Sequence, residues 1–342
     1  MSEYFNLTGD AWRISQCCQF HNPKLVKQFN FGTTTKTYAL KEDGKAKVQS
    51  KALENCDKLY RIITQYFSQQ PKNLRSFRIS TTAFPCYTLE FTQPWYDEIR
   101  EELQAKLALV GEAARKYEVR LSVHPGQYTV LASPRSEVVK NSIIDLEYHA
   151  LLGQYMNIPA REFAINIHLQ GLYGGKHSDG IARFADNYSY LSDYAQQALA
   201  VENEDKHKSG YDIAHVLDLC AKIPTRATLD IHHYECLRQK NTDPITVNDT
   251  LFREAVKTWK DIRPLFHVSQ TYVDKNGDET GRMNQHSEVL YDEERLSNMF
   301  PMLEYADFDI EAKNKEVAVT KAYNYFKEEE MYAGEPLKPQ RL

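Results

Sequence analysis

Six apolar runs in the later part of this 342-residue chain each end in a side chain able to hold a metal ion. They are His124 in LSVHPGQY, His168 in FAINIHLQG, Glu202 in LAVENED, Asp230 in ATLDIHH, His267 in LFHVSQ and Glu311 in FDIEAK. Chance would scatter histidines and carboxylates over loops and helix faces, whereas here each one terminates a run that otherwise reads as plain core. A buried, unpaired charge costs several kcal/mol, so gathering three carboxylates at one place destabilises a fold unless cations neutralise them. The set therefore predicts bound divalent cations. Imidazole with carboxylate suits zinc, manganese or iron, and the absence of thiolate argues against a structural zinc site.

His233, three residues past Asp230, and His286, in an irregular stretch after the LFHVSQ run, extend the set to eight. Eight ligands exceed the needs of one ion. Two or three ions within bridging distance suit phosphodiester hydrolysis, where one activates water and others neutralise the attacked and leaving oxygens. His232 is expected on the opposite side of an extended strand from His233, in a supporting or structural role. His21, His149, His177, His207 and His215 fall on helices or loops and are read as ordinary.

The elements that must position these groups alternate short β-branched or apolar runs with longer amphipathic ones, the signature of βα units. Strands are expected at 12–16, 76–80, 119–123, 163–168, 199–203, 227–232, 265–270 and 308–313. Helices are expected at 96–117, 136–156, 180–198, 212–221, 247–260 and 315–331. Parallel strands need helical crossovers, and closure removes both sheet edges, so the pattern predicts a single (β/α)8 TIM barrel over 1–342, with the metal cluster at its C-terminal face. An open doubly wound sheet is the alternative, and no G-x-G-x-x-G follows the first strand to favour it. Segments 32–50 and 274–285 read as irregular.

Composition narrows the class further. With 42% hydrophobic residues the chain can bury one large core. No stretch approaches the roughly 18 consecutive apolar residues of a membrane span, and the N-terminus lacks a basic segment leading into an apolar one, so a cytoplasmic protein is expected. Six cysteines without a C-x-x-C pair signal neither a disulfide framework nor a zinc knuckle. The adjacent Cys17 and Cys18 are read as packed thiols. A net charge of -5 argues against coating nucleic acid by bulk charge, leaving a local patch such as the five lysines of 36–51.

At these residues the sequence resembles the UV damage endonuclease family, related in fold to endonuclease IV and more distantly to xylose isomerase-like barrels. The carriers are FRISTTAFP at 77–85, VHPGQY at 123–128, His168, VENED at 201–205, DIHH at 230–233, HVSQ at 267–270, HSE at 286–288 and IEAKNKE at 310–316. The resemblance implies an endonuclease that incises damaged double-stranded DNA 5′ to UV photoproducts, with abasic sites among its other lesions, leaving a 3′-hydroxyl and a 5′-phosphate. It implies two or three divalent ions, Mn2+ by preference with Zn2+ or Mg2+ as alternatives, and no nucleotide cofactor.

Carried across by position, His124, His168 and Glu202 would hold one ion. Glu202 would bridge to a second held by Asp230, His267 and Glu311, and His233 with His286 would hold a third. Glu202, Asp230, His267 and Glu311 would form the catalytic centre. Gln127 and Tyr128 match the pair that probes damage by wedging into the duplex, unless Tyr128 is a core aromatic. Arg78 is assigned to the DNA, and Arg78 or Lys313 to stabilising charge on the attacked phosphate, with a structural ion pair as the alternative for Arg78. The resemblance also carries an expectation of a monomer, nucleoid-associated in a bacterium or nuclear in a eukaryote.

Three departures stand out, the first being that the chain before Phe77 matches only loosely. RISQCC at 13–18 lacks the Gly-Tyr pair that members often carry. Leu265 occupies a position where some members have a lysine that can be carboxylated, so any part that lysine plays is missing here. The rival readings are an abasic-site endonuclease of the endonuclease IV type, a two-metal sugar isomerase, and a barrel that binds DNA without catalysis.

Overall fold

A computed structural model describes residues 11–206, 210–239, 243–274, 276–279, 281–334 and 336–342. Eight strands appear where the apolar runs predict them: β1 (Ile14–Cys17), β2 (Ser76–Ile79), β3 (Arg120–Val123), β4 (Ala164–His168), β5 (Leu199–Glu202), β6 (Arg226–Thr228), β7 (Leu265–Val268) and β8 (Asp307–Ile310). All pairings are parallel, in the order β6-β5-β4-β3-β2-β1-β8-β7. The remaining seam between β6 and β7 is closed by a parallel bridge from Asp230 to His267, with the His267 N–H donating to the Leu229 carbonyl at 2.9 Å. The sheet is thus an α/β TIM barrel.

Each strand is followed by a crossover helix: Gly44–Arg61, Arg100–Tyr117, Ser136–Tyr155, His177–Tyr188, Ile213–Cys220, Thr250–Thr258, Glu293–Met302 and Glu316–Ala333. Barrel strands have no wet face, since one side meets the interior and the other the helices. Their alternation is therefore polar against apolar within a fully buried strand. On β8, Phe308 and Ile310 join the core, while Asp307 and Asp309 contact groups from other strands inside the barrel. At the N-terminal end of the barrel, Asp307 is held by Arg120 at 2.7 Å and Arg263 at 2.6 Å.

Four expectations change, the first being that the helix expected over 96–117 is two, Gln93–Glu98 and Arg100–Tyr117, interrupted at Ile99. Segment 32–50 is not irregular: it holds a short helix, Lys36–Ala39, and the start of Gly44–Arg61. Val48, Ala52, Cys56 and Leu59 form a buried stripe at helical spacing that the intervening lysines obscure in the sequence. Of those lysines, Lys45 pairs with Glu98 and Lys51 with Glu54. The single helix expected over 180–198 is two, because Ser192 starts a new one, its hydroxyl accepting from the Ala195 N–H. Finally, the sixth strand stops at Thr228 and the chain enters a helix, Ile231–Leu237, instead of continuing extended to His232.

Segment 274–285 does lack regular structure where described, but its flanks pair. Thr271 bridges antiparallel to His286 and Val273 to Glu279, so the excursion after β7 returns His286 to the barrel mouth.

Candidate metal centre

The C-terminal rim collects the strand ends. His168 and Glu202 are the last residues of β4 and β5, His124 and Glu311 follow β3 and β8 directly, and His267 lies within β7. Asp230 reaches the rim as the cap of Ile231–Leu237, its carboxylate accepting the His233 N–H at 2.7 Å. That cap turns the chain so that Asp230 and His233, three apart, share a side. The His233 ring is anchored by Nδ1 at 3.0 Å from the Asn203 carbonyl.

Glu202, fully buried, is the hub. Its carboxylate lies 3.0 Å from His124 Nε2, 3.1 Å from His267 Nδ1, 3.1 Å from His233 Nδ1 and 3.6 Å from His168 Nε2. His267 Nδ1 is also 3.4 Å from Glu311, whose other oxygen is 3.7 Å from His286 Nδ1. All eight residues singled out from the sequence therefore come together. Two sets of three place their ligand atoms within 4.8 Å of one another, His124–Glu202–His267 and His168–Glu202–His233, and they share Glu202.

The electrostatics follow from that crowding. Burial alone would raise Glu202, but His267, His168 and a hydrogen bond from His124 hold it well below the usual carboxylate range. Glu311 is likewise lowered against burial, by Arg78, His267 and His286. Burial pulls His267 down, and Glu202, Glu311 and Asp309 more than reverse it, to about 9. His233 is raised against burial by Asp230 and Glu202, whereas in His124 burial prevails over Glu202 and lowers it.

Even so, Glu202 Oε1, Asp230 Oδ2, His267 Nδ1 and both Asp309 oxygens are buried without a hydrogen-bond partner. Such atoms are costly unless something else satisfies them. Unspent carboxylate and imidazole lone pairs gathered at one rim fit hard or borderline divalent cations.

The remaining predicted residues fall in three places. Tyr128 is 83% exposed, which excludes the core-aromatic alternative, and Gln127 beside it is exposed too. Both sit in a turn where the Gln170 amide donates to the Gln127 carbonyl at 2.8 Å. Arg78 is buried and paired with Glu311, the ion-pair arrangement. Lys313 is exposed, its ammonium 4.2 Å from the Tyr272 ring centroid.

His232 is a correction. Because β6 has already given way to a helix, His232 occupies its first turn, buried, with its ring 5.8 Å from that of His286 and Nε2 3.5 Å from Cys236 Sγ. His149 is buried in its helix, His177 and His215 stack at 4.2 Å between their helices, and His207 lies outside the described residues. Sequence reasoning missed Asn166, whose amide donates to Glu202, and Asp309, beside His267. The signal was parity: Asn166 and Asp309 stand two residues before His168 and Glu311, on the same inward face.

The chain is 34% identical over 259 residues to the UV-damage endonuclease of Schizosaccharomyces pombe (strain 972 / ATCC 24843), covering 71% of this chain and 39% of that protein. It is 30% identical over 257 residues to the UV DNA damage endonuclease of Bacillus velezensis, covering 71% of this chain and 72% of that protein. The crystal structure of SacUVDE superposes with a TM-score of 0.76 at 25% identity, over 93% of this chain and 98% of that one. Endonuclease IV from Thermus thermophilus shares the fold, with a TM-score of 0.53 at 14% identity over 92% of this chain and 98% of that one. The family model for UV-endonuclease UvdE matches residues 19–333, and with the relatives above it shows that the chain belongs to the UvdE family of UV damage endonucleases.

Proposed function

We propose that this protein hydrolyses the DNA backbone 5′ to UV photoproducts, and at other helix-distorting lesions including abasic sites, giving 3′-hydroxyl and 5′-phosphate ends. The observation that carries the reading is the shared Glu202 carboxylate, common to two sets of candidate metal ligands at the barrel mouth. A carboxylate shared between two sites suits two adjacent cations, the arrangement that serves in-line displacement at phosphorus. Divalent ions, Mn2+ by preference, would supply charge against the phosphate and ionise water near neutral pH. His124, His168, Glu202, Asp230, His233, His267, His286 and Glu311 would hold two or three of them.

The chain's own residues do the rest. Glu202 and Glu311 stay ionised through the pH range in which DNA is stable, because their imidazole and guanidinium neighbours hold both pKa values low. Arg78, committed to Glu311, fixes that carboxylate rather than reaching out to DNA. Tyr128, four residues past His124 on an exposed turn, is positioned to enter a duplex whose stacking is already weakened. Extruding a base costs a few kcal/mol, least at damage, and an inserted aromatic recovers roughly 1–3 kcal/mol.

The test is incision of end-labelled duplexes carrying a cyclobutane dimer, an abasic site or no lesion by Mn2+-loaded monomeric protein. Cutting on the 5′ side of the dimer is expected. Cutting at the abasic site alone would move the substrate to that of an endonuclease IV-type enzyme, and no cutting of either would overturn the reading.

A further inference from the structure

Three acidic residues alternate along the inward face of β8 and its exit: Asp307, Asp309 and Glu311. Two have strong partners. Asp307 is held by Arg120 and Arg263, and Glu311 by Arg78. Asp309 is different. It is fully buried, and neither of its oxygens accepts a hydrogen bond. Its neighbours across the sheet offer little: Ser15, its partner in β1, has its own hydroxyl unsatisfied, and Arg78 Nη1 lies 3.7 Å away while paired with Glu311. A carboxylate in such a place destabilises the fold in a way an aliphatic side chain would not.

The remaining neighbour is His267. The two residues are register partners between β7 and β8, which puts both side chains at one level inside the barrel, and Asp309 Oδ2 lies 3.5 Å from His267 Nε2. The other ring nitrogen, Nδ1, faces the cluster, 3.1 Å from Glu202 and 3.4 Å from Glu311, without a hydrogen-bond partner of its own. The ring is therefore sandwiched: a carboxylate with no other donor behind it, the candidate metal centre in front.

We infer that Asp309, 3.5 Å behind the ring, is a positioning residue that accepts the Nε2–H of His267 when a divalent cation binds in the cluster and so presents Nδ1, stripped of its proton, to that cation. The inference rests on the metal-centre reading above. A carboxylate behind a metal-binding imidazole fixes its tautomer and orientation and raises its basicity, and losing it typically costs 10–100-fold in metal affinity or activity. Asp309 touches neither cation nor DNA in this scheme and acts only through His267.

Asp309→Leu and Asp309→Asn separate this role from packing. Three quantities are measured: Zn2+ affinity by chelator competition, the tautomer of His267 by 15N–1H NMR of the Zn2+-loaded, histidine-labelled protein, and kcat and KM on an irradiated duplex with Mn2+. The parent is expected to show His267 protonated at Nε2. Asp309→Leu should lose about 10–100-fold in Zn2+ affinity and a similar factor in kcat, with KM unchanged. Asp309→Asn, whose amide oxygen can accept the same proton, should recover most of both.

An Nδ1–H tautomer in the parent, or a Leu variant within threefold of the parent in Zn2+ affinity, overturns the proposal. Should the Leu variant fail to fold, the parent tautomer and the Asn variant still decide it. A parent that binds Zn2+ but does not cut irradiated DNA refutes the proposed substrate and leaves the test of Asp309 intact, whereas a parent that binds no Zn2+ overturns both.

Discussion

Glu202→Gln removes one charge and keeps the shape, so its effect measures what that charge does. In metal-free protein the carboxylate is the nearest of three that hold His267 at a pKa of about 9, lying 3.1 Å from its Nδ1 against 3.4 Å for Glu311 and 3.5 Å from Nε2 for Asp309. Removing one partner of a buried ion pair costs about 3–5 kcal/mol. For 342 residues, an unfolding entropy of about 2.1 cal/mol/K per residue amounts to about 0.7 kcal/mol/K, so the chelated variant should melt about 4–7 °C below the chelated parent. With metal the loss is larger, because both sets of candidate ligands use Glu202. A glutamine oxygen is a weak ligand without charge, and loss of one group aimed at developing charge typically costs about 10²–10³ in kcat. Losing a ligand common to two ions should meet or exceed the upper figure. Metal per chain is read by elemental analysis, and incision on an end-labelled irradiated duplex. A variant with the parent's metal content that cuts within tenfold of it would refute the assignment of Glu202 as the shared ligand.

Three further outcomes are expected. Tyr128→Ala should leave the melting temperature unchanged, since the side chain is 83% exposed, while lowering the ratio of incision on damaged over undamaged duplex by about 5–150-fold, the equivalent of 1–3 kcal/mol. His267 sits above its unfolded value, at about 9, so in chelated protein its stabilisation is full below about pH 6.5 and lost as pH rises through 9. That is roughly 3 kcal/mol, visible as a falling denaturation midpoint between pH 6.5 and 9.5 in EDTA, and metal binding over the same range should release protons, measurable by calorimetry in buffers of different ionisation enthalpy. Asp307→Asn breaks the fully buried network with Arg120 and Arg263 at the opposite end of the barrel, and should destabilise by about 3–5 kcal/mol while leaving metal affinity at the rim unchanged.

Much of this was legible before any coordinates. A parallel barrel strand is buried on both sides, so its apolar run stands out, and a lone histidine or carboxylate at the end of such a run stands out against it. That contrast located all eight strands and six members of the cluster, while His233 and His286 were added by their spacing from Asp230 and by the stretch after the seventh strand. It failed where meaning depends on neighbours distant in sequence. The lysine-rich start of Gly44–Arg61 looks irregular until the barrel wall shows which side of it is buried. DIHH reads as the end of a strand, yet the Asp230 carboxylate caps a helix and thereby swings His233 to the rim and His232 into the interior. The fate of Arg78 was set by Glu311, 233 positions away.

The sequence by itself marked six candidate ligands as the residues that close apolar runs, because strand periodicity and hydrophobic contrast are local properties of the chain. Only the tertiary structure decided which of them share a partner. Closing the barrel brings β3, β4, β5 and β7 to within one carboxylate of each other, making Glu202 the hub, and the β7–β8 register sets Asp309 behind His267. Distances between strands are fixed by closure and register, and neither is written in any single segment.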